Sequence, residues 1–109
     1  LKFLKREEKR GKTYHGILLD PPAYGRLPRG ERWILDEGIN EVLGACTKIL
    51  EPKNSFFVLN LYSLGYSPLI SNNLVESHFE CKDKVFGESF IHSQSGIDLP
   101  LGTYVRFRR

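Results

Sequence analysis

Methionine is absent from the 109 residues, and cysteine occurs only twice, at Cys46 and Cys81. Without a methionine, and with Leu1 as its first residue, the chain is expected to be part of a longer protein. The two cysteines lie far apart and neither belongs to a CxxC pair, which argues against a zinc site and against a disulfide framework. We therefore expect no metal, a reducing compartment, and two free thiols that pack in the core.

Long hydrophobic runs are lacking as well. No run approaches the roughly 20 apolar residues that span a bilayer, and no signal-peptide pattern is present. Hydrophobic residues make up 40% of the chain and charged residues 27%, which is ordinary for a globular protein. The length fits a single domain. We expect no membrane partner and a cytoplasmic location, or an organelle matrix if the source is eukaryotic.

Positive charge is concentrated at the two ends of the chain. The net charge is +3, and the isoelectric point is near 9.0. Residues 1–12 are rich in Lys and Arg, and the chain ends in Arg106-Phe107-Arg108-Arg109. A basic surface of this kind suits a polyanion such as nucleic acid. Composition alone, however, favours a solvated helix face and a frayed terminus.

Helical and strand patterns alternate along the chain. Three segments have helical signals: 1–10 before Gly11, 31–50, and a segment that opens at Ser67-Pro68. Four segments have the composition of strands: 14–19, 55–62, 81–91 and 99–107. This order predicts an α/β fold with a parallel sheet and right-handed crossovers, closed by a terminal antiparallel β-hairpin.

Two of these segments carry the clearest patterns. In segment 31–50 the apolar positions recur at spacings of four and three: Leu35, Ile39, Val42, Cys46 and Ile49. That spacing predicts an amphipathic helix with its apolar stripe against a sheet. The nearly continuous apolar run at 55–62 predicts a strand buried on both faces.

A candidate site follows the first strand, which breaks off at Asp20-Pro21-Pro22. In open α/β sheets, ligands bind beyond the carboxyl ends of the strands. A carboxylate on a rigid Pro-Pro turn, with Tyr24 four residues later, therefore predicts a site here. Asn60 and Ser63 end the next strand and are expected nearby. The following loop, 25–30, is rich in Gly, Pro and Arg but lacks the Lys-Ser/Thr of a P-loop.

Five short segments resemble class I S-adenosylmethionine-dependent methyltransferases: Asp20-Pro21-Pro22-Ala23-Tyr24-Gly25-Arg26, Gly30-Glu31-Arg32-Trp33, Asn60-Leu61-Tyr62-Ser63, Ser67-Pro68, and Gly96-Ile97-Asp98-Leu99-Pro100-Leu101-Gly102. Within that family, the resemblance is to the bacterial-type branch related to 23S ribosomal RNA methyltransferases. It implies that residues 1–109 form the back half of a Rossmann-like domain. The family's glycine-rich cofactor loop is not in this sequence, so the isolated chain is expected to be inactive.

The resemblance also implies S-adenosylmethionine as the cofactor and RNA, in particular ribosomal RNA, as the partner. Methyl transfer requires a nucleophile held in line with the methyl group. We assign catalysis to Asp20, Pro21, Pro22 and Tyr24, and cofactor binding to Leu19, Asp20 and Pro21. The expected substrate-binding residues are Tyr24, Gly25, Arg26, Arg29, Trp33, Asn60 and Ser63. In these roles Tyr24 stacks on a flipped base and the arginines contact phosphate.

Several alternatives stay open. Ala23 departs from the Asp/Asn-Pro-Pro-aromatic pattern of exocyclic amino methyltransferases, so ring nitrogen and carbon atoms are candidate targets as well. A tryptophan such as Trp33 is more often a packing residue than a substrate contact. The function alternatives are a non-catalytic RNA-binding fragment, and a methyltransferase that acts on DNA or a small molecule. We interpret His15, His78 and His92 as structural. The apolar edge of the first strand predicts self-association, for example as a homodimer.

Overall fold

The computed structural model describes residues 1–27, 29–63 and 65–109. Within these residues it contains three helices and six strands: α1 (Lys2–Lys9), β1 (Gly16–Leu19), β2 (Tyr24–Arg26), β3 (Arg32–Ile34), α2 (Leu35–Ile49), β4 (Phe56–Leu61), α3 (Pro68–Glu76), β5 (Lys82–His92) and β6 (Asp98–Arg108). Gly11, predicted to end the first helix, has a φ of 64°. No helix in the described residues is long and apolar enough to cross a membrane.

The main sheet has the strand order β1-β4-β6-β5. β1 and β4 are parallel, with Leu19 opposite Leu59. β6 runs antiparallel to both β4 and β5, so the β5–β6 hairpin closes one side of the sheet. The predicted α/β class with a terminal antiparallel hairpin is confirmed. β2 and β3 form a separate two-stranded hairpin next to this sheet.

The core lies between α2 and one face of the sheet. All five residues of the apolar stripe predicted for α2 are buried. Four of them share one apolar cluster with Phe57 and Leu59 of β4 and Phe107 of β6, namely Leu35, Ile39, Val42 and Cys46. Each large side chain removed from water in this way contributes about 1.5–3 kcal/mol. Cys46 is a free, buried core residue, as predicted, and burial raises the pKa of its thiol to about 11.

The prediction that β4 is buried on both faces is wrong. Phe57 and Leu59 are fully buried, but Phe56 on the opposite face is 46% exposed. Successive side chains of a strand point to opposite faces. The residues that α1, α2 and α3 contribute to the core all pack on the Phe57 side, because Leu4, Leu35 and Val75 share one apolar cluster with it. An apolar strand can thus present a partly open face.

The prediction of a loop at 25–30 followed directly by a helix from 31 is also wrong. Tyr24–Arg26 pairs antiparallel with Arg32–Ile34, and the helix starts at Leu35. The Gly30 N–H donates to the Leu27 carbonyl at 2.9 Å, and the φ of Gly30 is 80°, a conformation that favours glycine in a tight turn. Aromatic and β-branched side chains before Leu35 favour a strand. Pro28, part of the predicted loop, lies outside the described residues.

Candidate active site

The candidate site lies where β1 and β4 end. Because Leu19 is opposite Leu59 in a parallel pair, Asp20 and Asn60 follow at equivalent levels of the same sheet edge. Asp20 is exposed and Asn60 half-buried. Pro21 is buried, so the turn that carries the carboxylate is anchored in the protein while Asp20 itself stays accessible. Ser63, also half-buried, lies just past the end of β4.

The β2–β3 hairpin continues directly from the Pro-Pro turn. The Leu35 N–H donates to the Ala23 carbonyl at 3.0 Å, which ties the turn to the start of α2. Tyr24 is 55% exposed. Since side chains alternate along a strand, Tyr24 and Arg26 share one face of the hairpin, and Gly25 belongs to the other. Arg29, in the connecting segment, is exposed.

Trp33 holds the Pro-Pro turn in place. Its indole Nε1–H donates to the Pro22 carbonyl at 2.7 Å. Its ring lies directly over Gly38 of α2, where an added Cβ would come within 2.2 Å of the ring. In the structure, Trp33 is therefore a packing residue. Its predicted contact with substrate stays a prediction.

A groove of about 790 Å³ opens beside the turn. Its walls are the first turn of α1, the end of β1 and the β2–β3 hairpin, and its apolar lining includes Phe3, Leu4, Leu19, Pro21, Leu27 and Trp33. The volume is in the range that holds small-molecule ligands and cofactors. Of the predicted site residues, this groove brings together Leu19, Pro21, Pro22, Gly25, Arg26 and Trp33.

One wall of the groove is held by a buried carboxylate. Glu7 of α1 is 5% exposed. Its Oε2 accepts a hydrogen bond from the Tyr14 hydroxyl at 2.7 Å, and its Oε1 accepts from Arg6 and Arg10 at 3.3 Å. The Tyr14 hydrogen bond, followed by those arginines, lowers the pKa of Glu7 against the opposing effect of burial. Sequence reasoning missed this anchor because Tyr14 appeared only as a strand residue.

Two further contacts hold the segment that follows β4. The Tyr66 hydroxyl donates to Asp36 Oδ1 at 2.7 Å, which joins this segment to the first turn of α2. Burial, and then Asp36, raises the pKa of Tyr66 to about 12. On the other side, Gly102 of β6 lies so close to β4 that an added Cβ would be 2.4 Å from the Leu61 carbonyl oxygen. The edge around Asn60 is therefore well fixed.

The histidines and cysteines lie apart from this arrangement. His78 Nε2 is 3.1 Å from Asn40 Oδ1, and His92 Nδ1 is 2.5 Å from Asp98 Oδ1. Cys81, like Cys46, is a free thiol. Among the residues that the structure describes, no three His, Cys, Asp or Glu side chains are grouped as a metal site would require.

Comparison with solved structures identifies methyltransferases. One is a SAM-dependent methyltransferase from Agrobacterium tumefaciens, with a TM-score of 0.85 and 32% identity over 98% of this chain and 37% of that chain. Two others are assigned as methyltransferases. The first, solved with SAH, has a TM-score of 0.65 and 15% identity over 95% of this chain and 29% of its own. The second, from Streptococcus mutans, has a TM-score of 0.67 and 13% identity over 97% and 28%.

The two more distant structures show the fold alone, whereas the Agrobacterium protein also shares sequence along nearly the whole chain. No protein-family model matches the sequence, and no curated protein matches it. The chain spans 37% of the length of the Agrobacterium protein. It is a partial methyltransferase-like α/β unit whose fold fits the carboxyl-terminal half of a class I S-adenosylmethionine-dependent methyltransferase.

Proposed function

We propose that the protein transfers a methyl group from S-adenosylmethionine to a base in RNA, in particular ribosomal RNA. The observation that carries this proposal is the apolar groove beside the Asp20-Pro21-Pro22 turn. The similarity to a SAM-dependent methyltransferase supports the reaction class. The basic composition of the chain supports a polyanionic substrate.

The residues of the groove fit this cofactor. An adenosine moiety needs apolar surfaces on both sides of its ring, and Leu19, Pro21 and Trp33 supply such surfaces. Glu31 lines the same groove together with Lys2, Lys5 and Arg26, so the lining is net positive and its fit to the cofactor rests on the apolar surfaces. When bound, the cofactor supplies an electrophilic methyl group. The remaining tasks, which are to orient the base and exclude water, belong to the protein.

The turn performs the first of those tasks. The Asp20 carboxylate accepts hydrogen bonds from the target base, and the two prolines hold its backbone because proline fixes φ. Tyr24, 55% exposed at the start of the hairpin, stacks on the base. Such stacking contributes about 1–3 kcal/mol per base. The groove, closed on one side by α1, limits the access of water to the reacting atoms.

Two measurements test the proposal. Calorimetric titration of S-adenosylmethionine compares the 109-residue chain with the same chain extended by its natural N-terminal sequence. We expect tight binding only by the extended chain, because the family's glycine-rich loop is not among these residues. In the second measurement, the extended protein and its Asp20→Ala variant are each incubated with labelled cofactor and with RNA, DNA or free nucleoside, and the transfer of label is compared. Loss of methyl transfer with retained RNA binding supports the assignment of Asp20.

The opposite outcomes are equally informative. Unchanged methylation by Asp20→Ala would remove the turn from the active site. RNA binding without methyl transfer, even in the extended protein, would favour a non-catalytic RNA-binding unit. Methylation of DNA or free nucleoside in place of RNA would keep the reaction and replace the substrate.

A further inference from the structure

Two arginines stand directly opposite each other on the β2–β3 hairpin. Arg26 pairs with Arg32 in the antiparallel register, a position in which Cβ atoms are about 4.5–5.5 Å apart. Both side chains are exposed. Because side chains alternate, the pair lies on the same face as Tyr24 and Ile34, whereas Gly25 and Trp33 form the opposite face. The two guanidinium groups therefore project on the side of the hairpin that carries the exposed tyrosine.

The pair has no acidic partner in the described part of the chain. Some other basic residues of this part have one: Lys5 bonds Glu41, Lys84 bonds Glu76, and Arg108 bonds Asp83. Others, such as Lys48 and Lys53, have none, so what distinguishes Arg26 and Arg32 is their position directly opposite each other. No carboxylate of the described residues lies within ion-pair distance of Arg26 or Arg32. Like charges directly opposite each other destabilise a sheet. An anion that binds both side chains would relieve this repulsion.

We propose that Arg26 and Arg32 form a binding site for one phosphodiester group of a single-stranded RNA. The planar guanidinium fork matches phosphate geometry and forms charge-assisted hydrogen bonds with it. Arg32, which sequence reasoning did not assign to the site, is as important here as Arg26. This inference rests on the proposed function, which it extends from a base at the turn to the backbone of the same strand.

Tyr24 favours single-stranded RNA over a duplex as the nucleic acid that this site binds. It precedes Arg26 by two residues, a distance of about 7 Å along a strand. A base stacked on Tyr24 and a phosphate held by Arg26 and Arg32 can thus belong to neighbouring nucleotides. Aromatic stacking needs an unpaired base, which favours a loop or single-stranded segment over a duplex.

The test measures the dissociation constant of a short single-stranded RNA as a function of salt, with the protein in its natural length and without cofactor. The variants are Arg26→Gln, Arg32→Gln and their combination. A matched control, Lys48→Gln with Lys53→Gln, removes the same charge from exposed positions outside the hairpin and outside the basic segment 1–12. The salt slope is the slope of the logarithm of the binding constant against the logarithm of the salt concentration. If the two arginines share one phosphate, the magnitude of this slope is smaller by about 0.7 in the double variant than in the wild type. Each single variant then loses most of the affinity that the double variant loses, because the two contacts are coupled.

Equal affinity and slope for the double variant and the lysine control would overturn the inference. A fall in the thermal unfolding midpoint of Arg32→Gln would also count against it, since that change removes a repulsion. Labelled-cofactor assays separate the two proposals. If the protein methylates RNA but its arginine variants bind RNA as the lysine control does, only this inference is overturned. Arginine-dependent RNA binding without any methyl transfer overturns the proposed function and leaves the phosphate site intact.

Discussion

The indole Nε1–H of Trp33 donates a hydrogen bond to the carbonyl oxygen of Pro22, 2.7 Å away. This bond connects the far strand of the β2–β3 hairpin to the turn that carries Asp20. The Trp33 ring rests on Gly38, so its position is set by α2 as well. The candidate active-site turn is therefore held by the hairpin and the helix together, which follow it directly in sequence.

Replacement of Gly38 by alanine tests this arrangement. Alanine normally stabilises a helix interior relative to glycine by up to about 1 kcal/mol. At Gly38 the added Cβ would approach the Trp33 ring to 2.2 Å. We expect Gly38→Ala to lower the free energy of unfolding by about 1–3 kcal/mol, as overpacking does. Denaturant titration followed by tryptophan fluorescence measures the change, because Trp33 is the only tryptophan.

The matched control is Gly44→Ala in the same helix. No atom lies within 4 Å of a Cβ added at Gly44. This variant should gain the ordinary helical stabilisation. If both alanine variants are stabilised alike, Trp33 does not depend on Gly38 as its support.

The sequence allowed some of these elements to be predicted and not others, for physical reasons. The stripe from Leu35 to Ile49 is a local periodicity, so the core face of α2 could be predicted without any knowledge of its partners. The turn at Asp20 was recognisable because two prolines end an apolar run. The hairpin was missed because its pairing joins Tyr24 to Ile34 across ten residues, and the bond from Trp33 to Pro22 exists only after that pairing forms.

The exposed face of β4 could not be predicted for a related reason. The apolar residues of a strand indicate that the segment fits into a sheet. Whether each face of the strand is buried depends on which elements pack against it. In the structure the helices pack beside Phe57, and Phe56 on the other face stays 46% exposed.

Acid titration of stability should reveal the Glu7 anchor. The pKa of Glu7 is lowered in the folded protein, mainly by the Tyr14 hydrogen bond. Its contribution is therefore complete above the ordinary value of 4.5 and disappears as the pH falls through the lowered folded-state pKa. We expect the stability difference between the wild type and Glu7→Gln to shrink below that pH. A stability difference between the wild type and Glu7→Gln that is the same at every pH would contradict the anchor.

The same contact should appear in alkaline solution. The Tyr14 hydrogen bond to Glu7 is the largest cause that raises the pKa of Tyr14 above its usual 10.0. The stabilisation is present below pH 10.0 and is lost as the pH rises through the raised folded-state value. Tyr14→Phe should remove this step from a plot of unfolding free energy against pH. An unchanged step in that variant would assign it to another tyrosine.

Gly102 should tolerate no side chain. Its φ is 151°, and an added Cβ would lie 2.4 Å from the Leu61 carbonyl oxygen and 3.1 Å from the Tyr62 ring. Gly102→Ala should separate β6 from the end of β4 and cost about 1–3 kcal/mol of unfolding free energy. The control is Gly96→Ala, where φ is 84° but the surrounding space is open. That change should cost only the left-handed backbone penalty of about 1–2 kcal/mol. A smaller loss at Gly102 than at Gly96 would contradict the close approach.

The edge of β1 predicts self-association of the 109-residue chain. β1 is the outermost strand on its side of the sheet, and Leu18 within it is 73% exposed. An exposed apolar edge strand offers unpaired backbone groups to a second chain, and a lysine on that edge opposes such pairing. Light scattering at increasing concentration should therefore show association of the wild type that Leu18→Lys reduces. Leu69→Lys changes a residue of similar exposure, 60%, on α3, and should leave the association unchanged because no strand edge is involved. A wild-type chain that stays monomeric at high concentration would show that β1 is not an open edge in solution.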